Sequence, residues 1–359
     1  MSMQAAEITV SMGVLNQSSG FNQSFVPNYP YHLIWGITNA CGCRCAHCYA
    51  DSGRRLSIEL DTEEAIGVLD DIAACGIFDV GFTGGEPLLR KDIHTLIGHA
   101  ISKGLTVGLS SSGYPLTSQV AESLKKSGLE RIQISIDGVG ISHDRFRGVA
   151  GLYRKAIDAL RACRDAQLPH LVCFTASSAN LEQLPYLLQV LQELQVDTLN
   201  ISLFVPAGRG DRALALTPQQ QKSLYEFWNA QRKSSELPKL VFHTGKMALI
   251  EQDMMNSASF TGCQAGRGTA YLDPQGNVTP CVLMPVALGN VRDKPFSKLW
   301  LNSQLVAELK KRSIKGYCAK CSHSDKCGGC RAMAYAYFND PLAEDPGCWL
   351  YSNKGVKNA

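Results

Sequence analysis

Apolar and polar residues alternate along residues 31–206 in two rhythms. Short apolar or two-residue-periodic runs at 32–38, 78–83, 105–110, 131–136, 170–175 and 198–204 read as strands. Between them, apolar residues recur at threes and fours over 62–74, 91–103, 116–127, 153–166 and 181–194, which predicts amphipathic helices. In the fourth of these the buried face should run through Tyr153, Ala156, Ile157 and Leu160. Six strands separated by helices imply right-handed βαβ units and a parallel sheet. A further helix, 218–233, completes the last unit, and Ser234-Ser235-Glu236-Leu237-Pro238 is the expected hinge to a second domain. Three segments follow: a leader at 1–30, an α/β unit at 31–235, and a distinct C-terminal region at 236–359. Neither an internal repeat nor a low-complexity tract interrupts this order.

Composition sharpens the picture. A chain of 359 residues, 45% hydrophobic and 19% charged, has the make-up of a globular enzyme with a large core. A net charge of +3 is too small to argue for a nucleic-acid partner. No apolar stretch reaches membrane-spanning length, and residues 1–28 lack the basic-then-apolar order of a signal peptide. The expected location is therefore the cytoplasm, with no membrane partner. There the 14 cysteines are better read as metal ligands or free thiols than as disulfides. Seven of the 14 lie between Cys263 and Cys348.

Cys41, Cys45 and Cys48 follow the first strand in the spacing C-x3-C-x2-C. Three soft thiolates on one loop suit three irons of a [4Fe–4S] cube and leave the fourth iron open. Two plainer readings compete: a zinc site using His47, or a redox disulfide using Cys43. The turn Phe82-Thr83-Gly84-Gly85-Glu86-Pro87 closes the second strand. Its glycines let backbone approach a ligand, and Glu86 offers an acceptor for an ammonium group. An ordinary strand-end turn is the alternative.

Together the two motifs resemble the radical SAM enzymes. The resemblance implies a partial (β/α)6 barrel with the cluster loop after the first strand. It also implies that the open iron binds S-adenosylmethionine and that Gly84, Gly85 and Glu86 receive its amino group. Ser135, in Ser135-Ile136-Asp137-Gly138, resembles a strand-end motif of the subfamily, and Arg147 is a candidate partner for the carboxylate of S-adenosylmethionine. A simple turn and a solvated arginine are the plain alternatives. Many relatives carry Thr-Asn-Gly after the third strand. Here Ser110-Ser111-Ser112-Gly113 departs from that pattern.

The C-terminal cysteines run C-x12-G-x4-C from Cys263 through Gly276 to Cys281, then Cys318-x2-Cys321-x5-Cys327-x2-Cys330, and finally Cys348. This resembles the SPASM extension, a small cysteine-rich domain with two auxiliary [4Fe–4S] clusters, for three clusters in all. By that resemblance Cys318, Cys321, Cys327 and Cys348 hold one cluster, and Cys263, Cys281 and Cys330 hold the other. The last C-x2-C is one residue shorter than usual, which bears on Cys330. Paired zinc ribbons, with His323 as an extra ligand, are the alternative. Cys75, Cys163 and Cys173 read as core.

The resemblance runs from Tyr31 to Cys348 and implies an oxidoreductase. An external flavodoxin- or ferredoxin-type donor would reduce the first cluster, S-adenosylmethionine would yield a 5′-deoxyadenosyl radical, and a substrate C–H bond would be attacked. Auxiliary clusters favour a net oxidation. Segments 289–300 and 343–348 resemble enzymes that modify tetrapyrrole side chains in heme-type biosynthesis, and similar tails occur in maturases of ribosomally made peptides. The 30 residues before the barrel are few for a leader-binding domain, which tilts the expectation to a tetrapyrrole. A peptide and a small metabolite come next. A non-catalytic iron–sulfur or zinc redox sensor is the reading from another class.

Overall fold

A computed structural model of the chain describes residues 26–232, 234, 238–242, 244–257 and 260–352. Most of the leader, and residues 235–237 of the expected hinge, lie outside the described residues. The strands are β1 (His32–Thr38), β2 (Asp79–Gly84), β3 (Thr106–Ser111), β4 (Arg131–Ser135), β5 (His170–Ala176), β6 (Thr198–Leu203), β7 (Lys239–Phe242), β8 (Thr269–Leu272), β9 (Asn277–Thr279) and β10 (Gly289–Asn290). They form one sheet in the order β10-β9-β8-β1-β2-β3-β4-β5-β6-β7. Pairing is parallel from β1 to β7 and between β1 and β8, and antiparallel only at β8–β9 and β9–β10.

The α-helices between β1 and β7 are α1 (Thr62–Ala74), α2 (Ile93–Ser102), α3 (Ser118–Lys126), α4 (Ile141–Arg147), α5 (Leu152–Asp165), α6 (Leu184–Glu193) and α7 (Pro218–Gln231). Local chemistry starts α1: Asp61 and Glu64 form a reciprocal capping box, each accepting the other's backbone N–H at 2.9 Å. Its buried residues Ala65, Val68, Leu69 and Ile72 follow the helical period. In α5 the buried face starts at Leu152 and runs through Ala156, Ile157 and Leu160. Tyr153 is half-buried instead and packs edge-on against His143.

Leu33, Trp35 and Ile37 of β1 are buried in the main core, where Trp35 meets Phe82 of β2 edge-to-face at 5.9 Å. The intervening residues His32 and Ile34 take the other side of the strand. At the N-terminal ends of the strands, Asp79 accepts from Arg131 at 2.9 Å and pairs with His32 at 2.6 Å, tying β1, β2 and β4 together. The C-terminal ends carry the loops with the cysteine motif, the Gly-Gly-Glu turn, the serine run and Asp137. Ligand sites lie at that end of parallel sheets.

The sheet continues beyond the six strands read from the sequence. β7 pairs with β6, and β8–β10, from the cysteine-rich region, extend the free edge of β1. Among the described residues no helix is long and apolar enough to cross a membrane.

Candidate functional site

The cysteine loop is held from below by backbone. Gly85 N donates to Thr38 O and Glu86 N to Ala40 O, both at 2.7 Å, which seats the Gly-Gly-Glu turn against the end of β1. A Cβ at Gly84 would lie 2.4 Å from Thr38 O, and one at Gly85 would lie 2.2 Å from Ala40 O. Only glycine permits that approach. Buried Glu59 accepts from Thr38 Oγ1 at 3.0 Å and from Asn39 N at 2.7 Å, fixing the exit of β1.

Arg44 N and Ala46 N of the loop donate to Arg147 O and Phe146 O of α4. Arg209 closes the side. Its Nε donates to Cys45 O at 2.9 Å, its two terminal nitrogens reach Asp51 and Ser52 O, and its own N–H donates to Cys48 O at 3.0 Å.

All described cysteines are free thiols. Cys43 lies between Cys41 and Cys45 and hydrogen-bonds to both, which pushes its own pKa up. The same contact is the main cause of the lowered pKa of Cys41. It also leads the lowering of Cys45 to about 6, helped by Arg147 and Arg209. Ser52 N donates to Cys48 Sγ at 3.4 Å. Thiolate-favouring surroundings and backbone donors aimed at sulfur suit Cys41, Cys45 and Cys48 to an iron–sulfur cluster.

Glu86 is 1% exposed and accepts from Ser111 Oγ (2.9 Å), Ser112 Oγ (2.6 Å), Ser112 N (2.9 Å) and Leu88 N (3.3 Å). Burial raises its pKa, and these donors oppose the rise. Its carboxylate is therefore occupied by the chain's own donors. The departure from the relatives' Thr-Asn-Gly acquires a role here, because Ser111 and Ser112 bind the glutamate of the neighbouring turn.

Arg147, 8% exposed, is committed to Asp137, with Nε at 2.7 Å and Nη2 at 2.6 Å from one carboxylate oxygen. Asp137 is fully buried and also accepts from Thr175 N at 2.7 Å. The pair therefore neutralises itself beneath the cysteine loop. His47 stacks on Phe146 at 4.6 Å with Nε2 3.5 Å from Asp137, and burial lowers it to about 4. Ser135 is half-buried on β4, level with Cys173 of β5.

The C-terminal cysteines separate into two groups. Cys318, Cys321, Cys327 and Cys348 line one cavity. Gly329 N donates to Cys327 Sγ and Asp345 N to Cys318 Sγ, both at 3.4 Å. Cys263, Cys281 and Cys330 pack together with Met284, Ala332 and Val205, and Cys263 lines a second, smaller cavity. The two groups interlock, since Cys263 N donates to Cys327 O at 3.1 Å. Cys330, despite its shortened spacing, falls with Cys263. Among the described residues no three His, Cys, Asp or Glu side chains converge tightly enough for a single ion. Cysteines grouped in a four and a three without such tight convergence suit four-iron cubes better than tetrahedral zinc.

The sequence reading missed Arg209, Asp137 as the anchor of Arg147, and the buried ion pair Lys246–Asp345 at 3.0 Å. Arg209 had one signal, its place between Gly208 and Gly210 just after β6.

A profile of the radical SAM superfamily matches residues 35–180, and one of the SPASM iron–sulfur cluster-binding domain matches 263–322. The AdoMet-dependent heme synthase of Methanosarcina barkeri is 31% identical over 337 residues, covering 89% of this chain and 97% of that protein. The mycofactocin maturase MftC of Mycolicibacterium smegmatis is also 31% identical, covering 89% and 82%. Streptococcus suis SuiB bound to S-adenosylmethionine shares the fold with a TM-score of 0.75 at 16% identity, covering 90% of this chain and 78% of that one. With the cysteine loop, the Gly-Gly-Glu turn and a cysteine-rich C-terminal region in one sheet, the chain belongs to the radical SAM superfamily, as an iron–sulfur, S-adenosylmethionine-dependent enzyme with a SPASM domain.

Proposed function

We propose that this enzyme oxidatively decarboxylates a propionate side chain of a tetrapyrrole. The observation that carries the reading is coverage. The chain spans 97% of the Methanosarcina barkeri heme synthase, but 82% of the Mycolicibacterium smegmatis maturase at the same identity. The Fe-coproporphyrin III synthase of Methanosarcina barkeri and the pre-heme d1 synthase of Dinoroseobacter shibae are matched over 87% and 86% of their own lengths.

Cys41, Cys45 and Cys48 are assigned to the cluster that binds S-adenosylmethionine, and the remaining seven ligands to two further clusters. The Gly84–Glu86 turn presents its backbone to the amino group, with Glu86 holding the turn's shape. Arg147 and Asp137 support the loop from beneath. S-adenosylmethionine, once reduced, supplies a 5′-deoxyadenosyl radical. In the overall balance the propionate gives up one hydrogen atom to that radical, one electron to an acceptor and its carboxylate as carbon dioxide, leaving a vinyl group. The cleavage needs one low-potential electron, for which a cytoplasmic flavodoxin or ferredoxin is the assigned donor.

The test is anaerobic incubation of reconstituted, reduced protein with S-adenosylmethionine and iron coproporphyrin III. The expected result is 5′-deoxyadenosine together with vinyl product and carbon dioxide. A second reading, maturation of a ribosomal peptide, is favoured by the maturase match. An unchanged tetrapyrrole alongside a modified precursor peptide would transfer the assignment to it.

A further inference from the structure

The two C-terminal cavities meet at Gly328, which lines both, and their charges differ. In the larger, the Lys246 ammonium lies 3.0 Å from Asp345 and donates to Gln221 Oε1 at 2.6 Å. That charge is neutralised in place. The smaller cavity is lined by Cys263 and by three arginines, Arg267, Arg312 and Arg331. Among the described residues, none of the three forms an ion pair with a carboxylate.

Arg331 is 3% exposed, and one terminal nitrogen donates to Pro341 O (3.1 Å) and Ala343 O (2.6 Å). Its Nε and other terminal nitrogen are buried without a partner. Arg267 donates to Lys310 O at 3.1 Å, and its Nε is likewise bare. Arg312 donates to Ser324 O and Thr261 O. Carbonyl dipoles orient these groups but do not cancel their charge. Burial, and after it the neighbouring Arg312, lower Arg267 to about 10, a sign of cations crowded together.

Asp345 and Asp340 bear on Arg331, and Asp325 on Arg312, from beyond ion-pair distance, while Arg267 has no such carboxylate. Buried charge so weakly countered is costly and favours an anion beside it. The thiolate of Cys263, in the same cavity, supplies one, with Cys281 and Cys330 packed in the same group. Three thiolates around a [4Fe–4S]2+ core leave one net negative charge, and reduction adds a second. Nearby cations favour that added electron, since net charge and surroundings set cluster potentials.

We propose that Arg267, Arg312 and Arg331 form a cationic shell that makes the Cys263/Cys281/Cys330 centre easier to reduce than the Cys318/Cys321/Cys327/Cys348 centre. The electron lost by the substrate radical is thereby directed to the first of these. The inference rests on the reading of both cysteine groups as cluster sites. Arg331 stands between them: a Cβ at Gly329, which lines the larger cavity, would lie 2.6 Å from its Nη2. Arg312 also bears on Cys327 of the other group, so Arg267, which lines only the smaller cavity and meets only Cys263, is the discriminating residue.

The experiment is a potentiometric titration of the reconstituted holoenzyme followed by electron paramagnetic resonance. Arg267→Gln and Arg312→Gln should each move one centre to a more negative potential. Its reduced-to-oxidised ratio at fixed potential should fall by about tenfold, or about 59 mV, per charge removed. Arg267→Lys, which keeps the charge, should stay near wild type. The shifted centre should persist in Cys321→Ala. Unchanged midpoints in variants with full iron content would overturn the shell, as would a shift in the centre that Cys321→Ala destroys. If Arg312→Gln loses iron, Arg267→Gln and Arg267→Lys still decide the matter. A wild-type protein without C-terminal clusters would overturn the cluster reading itself, and the shell with it.

Discussion

Glu86 illustrates how a motif residue acquires its role from its neighbours. Read from the sequence, it is an acceptor for a ligand's ammonium group. In the fold, Ser111, Ser112 and Leu88 donate four hydrogen bonds to it, so it first braces the turn. Glu86→Gln would present an NH₂ to donors on at least one side. Charge-assisted hydrogen bonds contribute on the order of 1.5–3 kcal/mol each, so a loss of about 2 kcal/mol in stability is expected without any ligand present. Chemical denaturation of the ligand-free protein measures it. Binding of S-adenosylmethionine should weaken as well, because the turn moves. Unchanged ligand-free stability with weakened binding would return Glu86 to a direct contact. Ser111→Ala with Ser112→Ala should reproduce the stability loss, although neither residue belongs to the motif as read.

At the scale of elements, the cluster loop depends on three segments that meet it backbone to backbone: the β2 turn, the end of α4 and the Gly208–Gly210 loop after β6. Gly208 takes φ +57°, and a Cβ there would lie 2.3 Å from Tyr49 O and 2.5 Å from Cys48 O. Gly208→Ala should therefore displace the Cys45–Tyr49 stretch, at a cost on the order of 1–3 kcal/mol. The expected readout is selective, with iron falling by about four per chain while the C-terminal clusters remain. An unaltered iron count would show that the loop tolerates the displacement. The strands and long helices were legible because burying one face imposes a period on the sequence. β1 and α1 fall on the predicted limits, and β2 and β3 lie one residue further along. The seven-residue α4 escaped because it is too short to establish a period, although it carries Arg147 and caps the loop.

For the whole molecule, the single sheet joins the cysteine-rich region to the barrel through β8 on the edge of β1, the strand that leads into the Cys41 loop. Three clusters imply about 12 iron and 12 sulfide per chain, and replacing Cys41, Cys45 and Cys48 together should leave about eight of each. Metal analysis after anaerobic reconstitution checks this, and about two zinc with little iron would refute it. Replacing Cys321 or Cys348 with alanine should spare 5′-deoxyadenosine formation, which needs only the first site, and suppress sustained formation of oxidised product, because the electron received at the Cys263/Cys281/Cys330 centre leaves through the centre these two help to hold. Product at the normal rate would show that the cavity they line is not on the electron's path out. Intact first cluster without 5′-deoxyadenosine would show that electrons enter through the C-terminal region.

Some features of this protein are determined by local chemistry and need no knowledge of the fold. Ligand spacing within one loop, as at Cys41, Cys45 and Cys48, is set by a few bonds along the chain. The glycines of a close approach and the period of a buried face are equally local, which is why the family and the barrel were readable. Other features depend on residues distant in sequence. Arg209 reaches Cys45 O across 164 positions, and Ser111 and Ser112 reach Glu86 across 25 and 26. Arg147 pairs with Asp137 because both are buried, and a buried charge takes the nearest counter-charge. The sorting of seven cysteines into groups of four and three came from the family resemblance and not from their spacing, since it is packing that places Cys330 beside Cys263 and Cys348 beside Cys318. Packing also places the arginines around Cys263. Their positions in the sequence carry no period and no motif, and their lack of carboxylate partners exists only in three dimensions.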